Sequence, residues 1–196
     1  NTGKLSELRG LLAGCGIDLV PQAAFGIGEI EETGPTFIEN ALLKARHAAR
    51  ISGLPALADD SGLCVDALGG APGLYSARYA GSDGDAQANI LKLLDELADI
   101  ADAHRQAHFH CTLVLLQHPE DPAPLVCEGR WHGRILHEVR GEGGFGYDPV
   151  FLDEASGQSA AELEAAVKNR ISHRGRALAQ LRALLDATPD PASAHA

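Results

Sequence analysis

The chain has 196 residues, of which 45% are hydrophobic and 22% are charged, and its formal net charge at pH 7 is −11. No apolar run approaches the roughly 18 residues that a membrane-spanning helix needs, so we expect a soluble protein that does not engage membranes. The acidic balance argues against nucleic-acid polymers as partners, because their binding depends on basic patches. A small anionic ligand is still compatible with this charge if a few cations converge locally.

The predicted elements alternate between helical and strand patterns without a strict repeat. Leucine spacing predicts a helix over residues 4–13, and a short strand follows over 17–20. A second helix is predicted over 35–53, where Thr36 and Glu39 form a capping-box pattern and Gly53 suits the far end. Strands are then predicted over 54–58 and 63–68, before a turn-rich segment.

The second half continues the same alternation. A helix is predicted over 85–98, followed by a buried strand over 109–117 and one or two strands over 125–136. Two helices finish the fold, one over 160–167 and one that Ser172 caps. These elements favour an α/β fold with a mixed, twisted sheet flanked by helices, in one two-lobed domain over residues 1–187. We expect the tail, 188–196, to be disordered.

The cysteines give a hint about the compartment. Cys15, Cys64, Cys111 and Cys127 lie far apart and show no C-x-x-C spacing typical of zinc or redox sites. Reduced thiols in a cytoplasmic protein are the simplest interpretation.

Two acidic groups are candidate cation ligands. One consists of Glu29, Glu31 and Glu32 ahead of the second helix, and the other is the pair Asp59 and Asp60 between two predicted strands. Magnesium typically takes one or two protein carboxylates together with water and substrate phosphate oxygens. From spacing alone, a solvated turn is the better interpretation of the glutamates. For the aspartates, an acidic turn and a metal site explain the pattern equally well.

Cations in this acidic chain are candidates for anion binding. Lys4 and Lys44 could both be ordinary surface lysines, which is the commoner fate of a single lysine. Asn1, Gly3 and Lys4 open a helix, however, whose free N–H groups also favour phosphate. A further group lies in the break between the last two helices: Lys168, Asn169, Arg170, His173 and Arg174. This group suits phosphate or a carbonyl-rich base, although helix capping is the plain alternative.

A glycine-rich loop over 143–149 carries two aromatic residues. Phe145 and Tyr147 flank Gly146, so their rings could stack on a base or plug the core. The chain lacks a nucleophile elbow, a Walker-type phosphate loop and a dinucleotide fingerprint, which disfavours serine hydrolases, P-loop enzymes and Rossmann enzymes.

Six ordered motifs together resemble one family, that of the inosine triphosphate pyrophosphatases, or XTP/dITP diphosphatases. They are N-T-G-K at 1–4, E-E-T-G-P-T-F-I-E-N-A at 31–41, A-D-D-S-G-L at 58–63, G-G-A-P-G-L-Y-S-A-R-Y at 69–79, G-G-F-G-Y-D-P at 143–149 and S-H-R-G at 172–175. The resemblance runs from Asn1 to about Leu185. In that family a short apolar strand precedes the Asn, so the resemblance implies a strand ahead of Asn1.

The resemblance implies roles for individual residues around a central nucleotide-binding cleft. Glu32 and Asp60 match the family's magnesium ligands, and Asp60 also matches the base that activates the attacking water. Lys44 matches a catalytic phosphate contact, and Asp59 is a plausible auxiliary. The positions that match substrate-binding residues are Asn1, Thr2, Gly3, Lys4, Ser61, Phe145, Gly146, Tyr147, Asp148, Lys168, His173 and Arg174.

The implied activity is magnesium-dependent hydrolysis of non-canonical purine nucleoside triphosphates, such as ITP, dITP and XTP, to the monophosphate and pyrophosphate. The resemblance also implies a homodimer. Two alternatives stay open: a related pyrophosphatase with another base preference, and a nucleotide-binding regulator without turnover.

Overall fold

The computed structural model describes residues 5, 8–10, 12, 17–81 and 84–187. The predicted phosphate loop at Asn1–Lys4, most of the predicted first helix and the tail at 188–196 lie outside the described residues, although residues 8–10 are helical. Four further α-helices are described: α1 (Phe37–Ser52), α2 (Ala86–Glu96), α3 (Ala165–Ile171) and α4 (His173–Ala187). None of the described helices is long and apolar enough to cross a membrane.

Five strands form one sheet whose spatial order follows the chain. They are β1 (Ala56–Val65), β2 (Gln106–Leu116), β3 (Leu125–Ile135), β4 (Phe151–Asp153) and β5 (Gln158–Ser159). Every pairing in this ladder is antiparallel, so the expected mixture of parallel and antiparallel pairing is not seen among the described strands. The α/β class and the helices flanking the sheet are confirmed.

Helices cover both faces of the long strands. Because successive side chains of a strand point to opposite faces, even-numbered and odd-numbered residues of β2 face different layers. On one face, Val114 and Leu116 pack against Ala41 and Ala45 of α1. On the other face, Cys111 packs with α4, and Phe109 belongs to a larger cluster that includes residues of α2. The sheet is therefore the middle of three layers.

Helix α1 begins and ends as its sequence predicts. The Thr36 hydroxyl donates to a Glu39 carboxylate oxygen at 2.7 Å and accepts from the Glu39 backbone N–H at 3.2 Å. Gly53 ends the helix in the left-handed conformation, with φ +67°, which glycine adopts without steric cost. The buried stripe of this helix consists of Asn40, Ala41, Ala45 and Ala49.

Four predicted elements are wrong in detail. Residues 17–20 are not a strand: Leu19 packs into the hydrophobic cluster around α4, and the segment joins no ladder with the described strands. The predicted strands 54–58 and 63–68 are the single strand β1, which runs through the acidic pair. The predicted helix over 160–167 starts only at Ala165, because residues 158–159 form β5 and the chain then turns, with the Glu162 N–H donating to the Ser159 carbonyl oxygen.

Candidate active site

Two carboxylates and two cations form a cluster beside the middle of β1. The Lys44 ammonium lies 2.6 Å from Asp60 Oδ1 and 3.1 Å from Glu32 Oε1. Arg78 contacts the other oxygen of Glu32 at 3.0 Å. The Asp60 side chain is only 8% exposed, whereas those of Glu32 and Lys44 are each 25% exposed. The cluster therefore opens to solvent on the side of Glu32 and Lys44.

Each member comes from a different part of the fold. Lys44 lies on α1, Asp60 lies inside β1, and Glu32 belongs to the segment before α1. Arg78 ends the short 3₁₀ helix Gly73–Arg78. That helix can approach β1 because residue 62 is glycine: a Cβ there would lie 2.2 Å from the Gly73 carbonyl oxygen.

The ion pairs keep both kinds of group charged. Burial alone would lower the pKa of Lys44, but the carboxylates of Asp60 and Glu32 outweigh it and raise that pKa above its ordinary value. Burial likewise opposes ionisation of Glu32, but Lys44 and Arg78 hold its pKa below the usual range. Lys44 therefore acts as a fixed cation and not as a proton donor near neutral pH.

The two carboxylates of this cluster fit a magnesium ion in part. Both already contact one cation, the Lys44 ammonium, so their oxygens converge on a shared position. No group of three or more potential metal ligands from His, Cys, Asp and Glu occurs among the described residues. The carboxylate pair of Glu32 and Asp60 suits magnesium better than zinc, because magnesium is commonly held by one or two carboxylates and completes its shell with water and phosphate.

A second cluster lies on the opposite face of β1. Arg174 at the start of α4 contacts Asp59 Oδ2 through its Nε at 2.9 Å, and its Nη2 donates to the Ser61 hydroxyl at 3.2 Å. The Ser61 hydroxyl in turn donates to Asp59 Oδ1 at 2.9 Å. The side chains of Arg174 and Asp59 are 2% and 6% exposed.

The glycine-rich loop adjoins this second cluster. The Phe145 ring centroid lies 4.9 Å from Lys168 Nζ and 5.9 Å from the central guanidinium carbon of Arg174. Asp148 shapes the loop, since its Oδ2 accepts from the Phe145 backbone N–H at 2.7 Å and from Lys168 Nζ at 2.6 Å. A partly exposed aromatic ring flanked by two cations offers a stacking surface with hydrogen-bond donors at its rim.

Comparison with known proteins identifies the family of this chain. The model of the Ham1 family matches residues 1–184. The chain belongs to the Ham1 family. It is 59% identical over 187 residues to a dITP/XTP pyrophosphatase of Shigella flexneri, covering 95% of this chain and 93% of the relative. A dITP/XTP pyrophosphatase of Xanthomonas oryzae pv. oryzae is also 59% identical, with 95% and 94% covered. The solved structure of a Ham1 protein from Coxiella burnetii superposes with a TM-score of 0.90 at 50% identity, covering 96% of this chain and 95% of that one.

Two of the predicted substrate-binding residues lie inside the core of this Ham1 chain. Tyr147 is 5% exposed and belongs to a hydrophobic cluster. Its hydroxyl donates to the Ser76 carbonyl oxygen at 2.9 Å. His173 is 7% exposed and stacks on Phe109, with ring centroids 4.9 Å apart. In the loop, Gly146 takes φ +60° and makes the turn between the two aromatic residues. Tyr147 and His173 are therefore part of the packed interior, whereas Phe145 is 38% exposed.

Sequence reasoning gave Arg78 no role, although the structure pairs it with Glu32. One signal was present: Arg78 is the single charged residue in the segment 69–81, which is otherwise apolar, small or polar. A lone charge in such a segment needs a partner when the segment packs against the fold.

Proposed function

We propose that this Ham1-family chain hydrolyses non-canonical purine nucleoside triphosphates, such as ITP, dITP and XTP, to the monophosphate and pyrophosphate. The observation that carries the proposal is the Lys44 ammonium, which bridges the carboxylates of Glu32 and Asp60. The names of relatives that are 59% identical over 95% of the chain support the same reaction.

The Glu32 cluster is the phosphate half of the site. A magnesium ion held by Glu32 and Asp60 would neutralise phosphate charge and make the phosphorus more electrophilic. The Asp60 carboxylate accepts the proton of the water that attacks the α phosphorus. Lys44 stabilises the charge that develops on the departing pyrophosphate, and the loop at Asn1, Thr2, Gly3 and Lys4 adds backbone and ammonium donors to the phosphates.

The Arg174 cluster is the base half of the site. Phe145 stacks on the purine, while Lys168 and Arg174 donate hydrogen bonds to its 6-keto oxygen. Adenine carries a 6-amino group, which donates and would leave these donors unpaired, so the site disfavours it. Ser61 contacts Arg174, and Asp148 contacts Lys168. We expect Gly146 to shape the loop that carries Phe145, and the buried Tyr147 and His173 to support the site from the core.

The wider setting follows from the family resemblance. We expect two lobes around a central cleft, a homodimer and a cytoplasmic enzyme that removes damaged purine nucleotides from the precursor pool. Size-exclusion chromatography with light scattering tests the dimer directly.

The decisive experiment measures pyrophosphate release from ITP, XTP, GTP and ATP with and without magnesium. Asp60→Asn should lower turnover of ITP by roughly 10²–10⁴-fold, because it removes the proton acceptor and a ligand charge. Asp95→Asn, which changes an exposed aspartate on α2, is the matched control and should retain full turnover.

Other outcomes would change the conclusion. Equal turnover of ITP and ATP would remove the base preference and favour a broader nucleotide pyrophosphatase. Tight, magnesium-dependent ITP binding without pyrophosphate release would instead indicate a nucleotide-binding regulator.

A further inference from the structure

A buried carboxylate that this mechanism does not use lies one residue before Asp60. The Asp59 side chain is 6% exposed, yet it contacts Arg174, Ser61 and the Cys111 thiol, which donates to Asp59 Oδ2 at 3.2 Å. A buried carboxylate is costly unless several donors satisfy it. Apolar side chains of similar volume often stabilise a fold as much as a buried ion pair does. Stability alone therefore does not account for the pairing of Asp59 with Arg174.

The geometry fixes the orientation of a guanidinium. Asp59 Oδ2 accepts from Arg174 Nε at 2.9 Å, and a relay through the Ser61 hydroxyl links Arg174 Nη2 to Asp59 Oδ1. Two nitrogens of one planar group are therefore held from one side, which sets the plane and direction of the guanidinium as well as its position. A single point contact would leave the group free to rotate.

The guanidinium that Asp59 fixes is the one that adjoins the base loop. Its central carbon lies 5.9 Å from the Phe145 ring centroid. Because Arg174 starts α4 and Phe145 lies in the glycine-rich loop, the two meet through tertiary packing alone. Any change in the angle of the guanidinium would move its donors relative to the plane of a base stacked on Phe145.

We propose that Asp59 is a positioning residue for base selection, which acts through Arg174 and does not touch the nucleotide. This inference rests on the proposed function and adds the group that orients its base-reading donors. Asp59 contacts Arg174 directly and through Ser61. Removal of the Asp59 carboxylate therefore weakens recognition of the 6-keto oxygen, while the reacting atoms at Asp60 stay in place.

Asp59→Asn is the informative variant because it keeps the shape and one acceptor oxygen but removes the charge. We expect the KM for ITP to rise about tenfold, with kcat changed less than about threefold, and the preference for ITP over ATP in kcat/KM to fall by a similar factor. Asp153→Asn is the matched control. Asp153 lies on β4, is 6% exposed, and its carboxylate accepts from Trp131 Nε1 at 2.9 Å. It should lower the melting temperature and leave both KM and the ITP preference unchanged.

A double-variant test separates positioning from a general effect on the pocket. If Asp59 acts through Arg174, Asp59→Asn should raise the KM for ITP in the wild-type background and have no further effect on KM in an Arg174→Gln background. An equal rise in both backgrounds, or an unchanged KM and ITP preference in the single variant, would overturn the inference.

Two further arms keep the result interpretable. If Asp59→Asn does not fold, Ser61→Ala, which breaks the relay, should raise the KM for ITP by a smaller factor in the wild-type background and not in the Arg174→Gln background; no rise in the wild-type background, or an equal rise in both, would count against the inference. Failure of the wild-type chain to release pyrophosphate from ITP would defeat the proposed function itself, and that outcome is distinct from a wild-type enzyme whose base preference survives Asp59→Asn.

Discussion

The contact between β3 and α4 offers a test of how the helix that carries Arg174 is positioned. A Cβ at Gly129 would lie 1.9 Å from the His173 carbonyl oxygen and 2.7 Å from the Ala177 backbone nitrogen. Ordinary contact begins at 3.4 Å, so α4 would have to retreat by about 1.5 Å at His173. The obstacles are backbone atoms, which cannot rotate away as a flexible side chain can.

Gly129→Ala should therefore damage both stability and activity. Overpacking of this kind costs typically 1–3 kcal/mol, which corresponds to a fall in melting temperature of roughly 2–12 °C for a chain of this length. Because Arg174 follows His173, the retreat of α4 also moves the guanidinium to which the proposed function assigns base recognition. A displacement near 1 Å can cost up to about 100-fold in kcat/KM.

The matched control is Gly28→Ala, where a Cβ meets nothing within 4 Å and φ lies outside the left-handed region. Differential scanning calorimetry and ITP hydrolysis on both variants give the comparison. A Gly129→Ala protein that melts within 1 °C of the wild type, at unchanged kcat/KM, would refute the account of a rigid contact between sheet and helix.

Two further predictions concern buried polar groups away from the nucleotide. Arg105 is 1% exposed, and its guanidinium donates to the Leu97, Ile135 and Leu136 carbonyl oxygens. Arg105→Gln should therefore lower the free energy of unfolding by about 1–3 kcal/mol for each carbonyl left without a donor. Urea denaturation measures this, and an unchanged free energy of unfolding would contradict it. Burial raises the pKa of Asp153, but hydrogen bonds from Trp131 and Ser156 outweigh it and hold that pKa below its ordinary value. The ionised Asp153 carboxylate therefore stabilises the fold above its unfolded pKa near 3.9, and this stabilisation is lost as the pH falls through the lower folded pKa. In Asp153→Asn, the melting temperature should accordingly fall less steeply as the pH is lowered through this range.

Local chemistry explains which parts of the fold the sequence could predict. The α1 boundaries follow from Thr36, Glu39 and Gly53, whose interactions span a few residues. Helix α2 likewise starts at Asp85, whose carboxylate accepts from the Gln87 and Ala88 N–H groups. The strand predicted over 17–20 is wrong because a strand needs a partner ladder; of its apolar residues only Leu19 packs against the core, whereas Ile17 and Val20 are exposed.

The site was predictable only as a set of motifs. The resemblance brought Glu32, Lys44 and Asp60 together, and the structure places them in contact. Composition and spacing could not do so, because these residues meet across three elements that are distant in sequence. The partner of Arg78 was hidden for the same reason: its contact with Glu32 spans 46 residues.

The predicted break between two strands at Asp59–Asp60 is the most instructive error. From the sequence, an acidic turn and a metal site explained the two adjacent carboxylates equally well, the metal because like charges need a partner. A continuous strand resolves the repulsion differently, since neighbouring side chains point to opposite faces. Asp60 thereby meets Lys44 beneath α1, and Asp59 meets Arg174 beneath α4. One dipeptide thus contributes to both clusters, which the proposed function assigns to the phosphates and to the base, and the period of the strand allows each carboxylate to have its own cation.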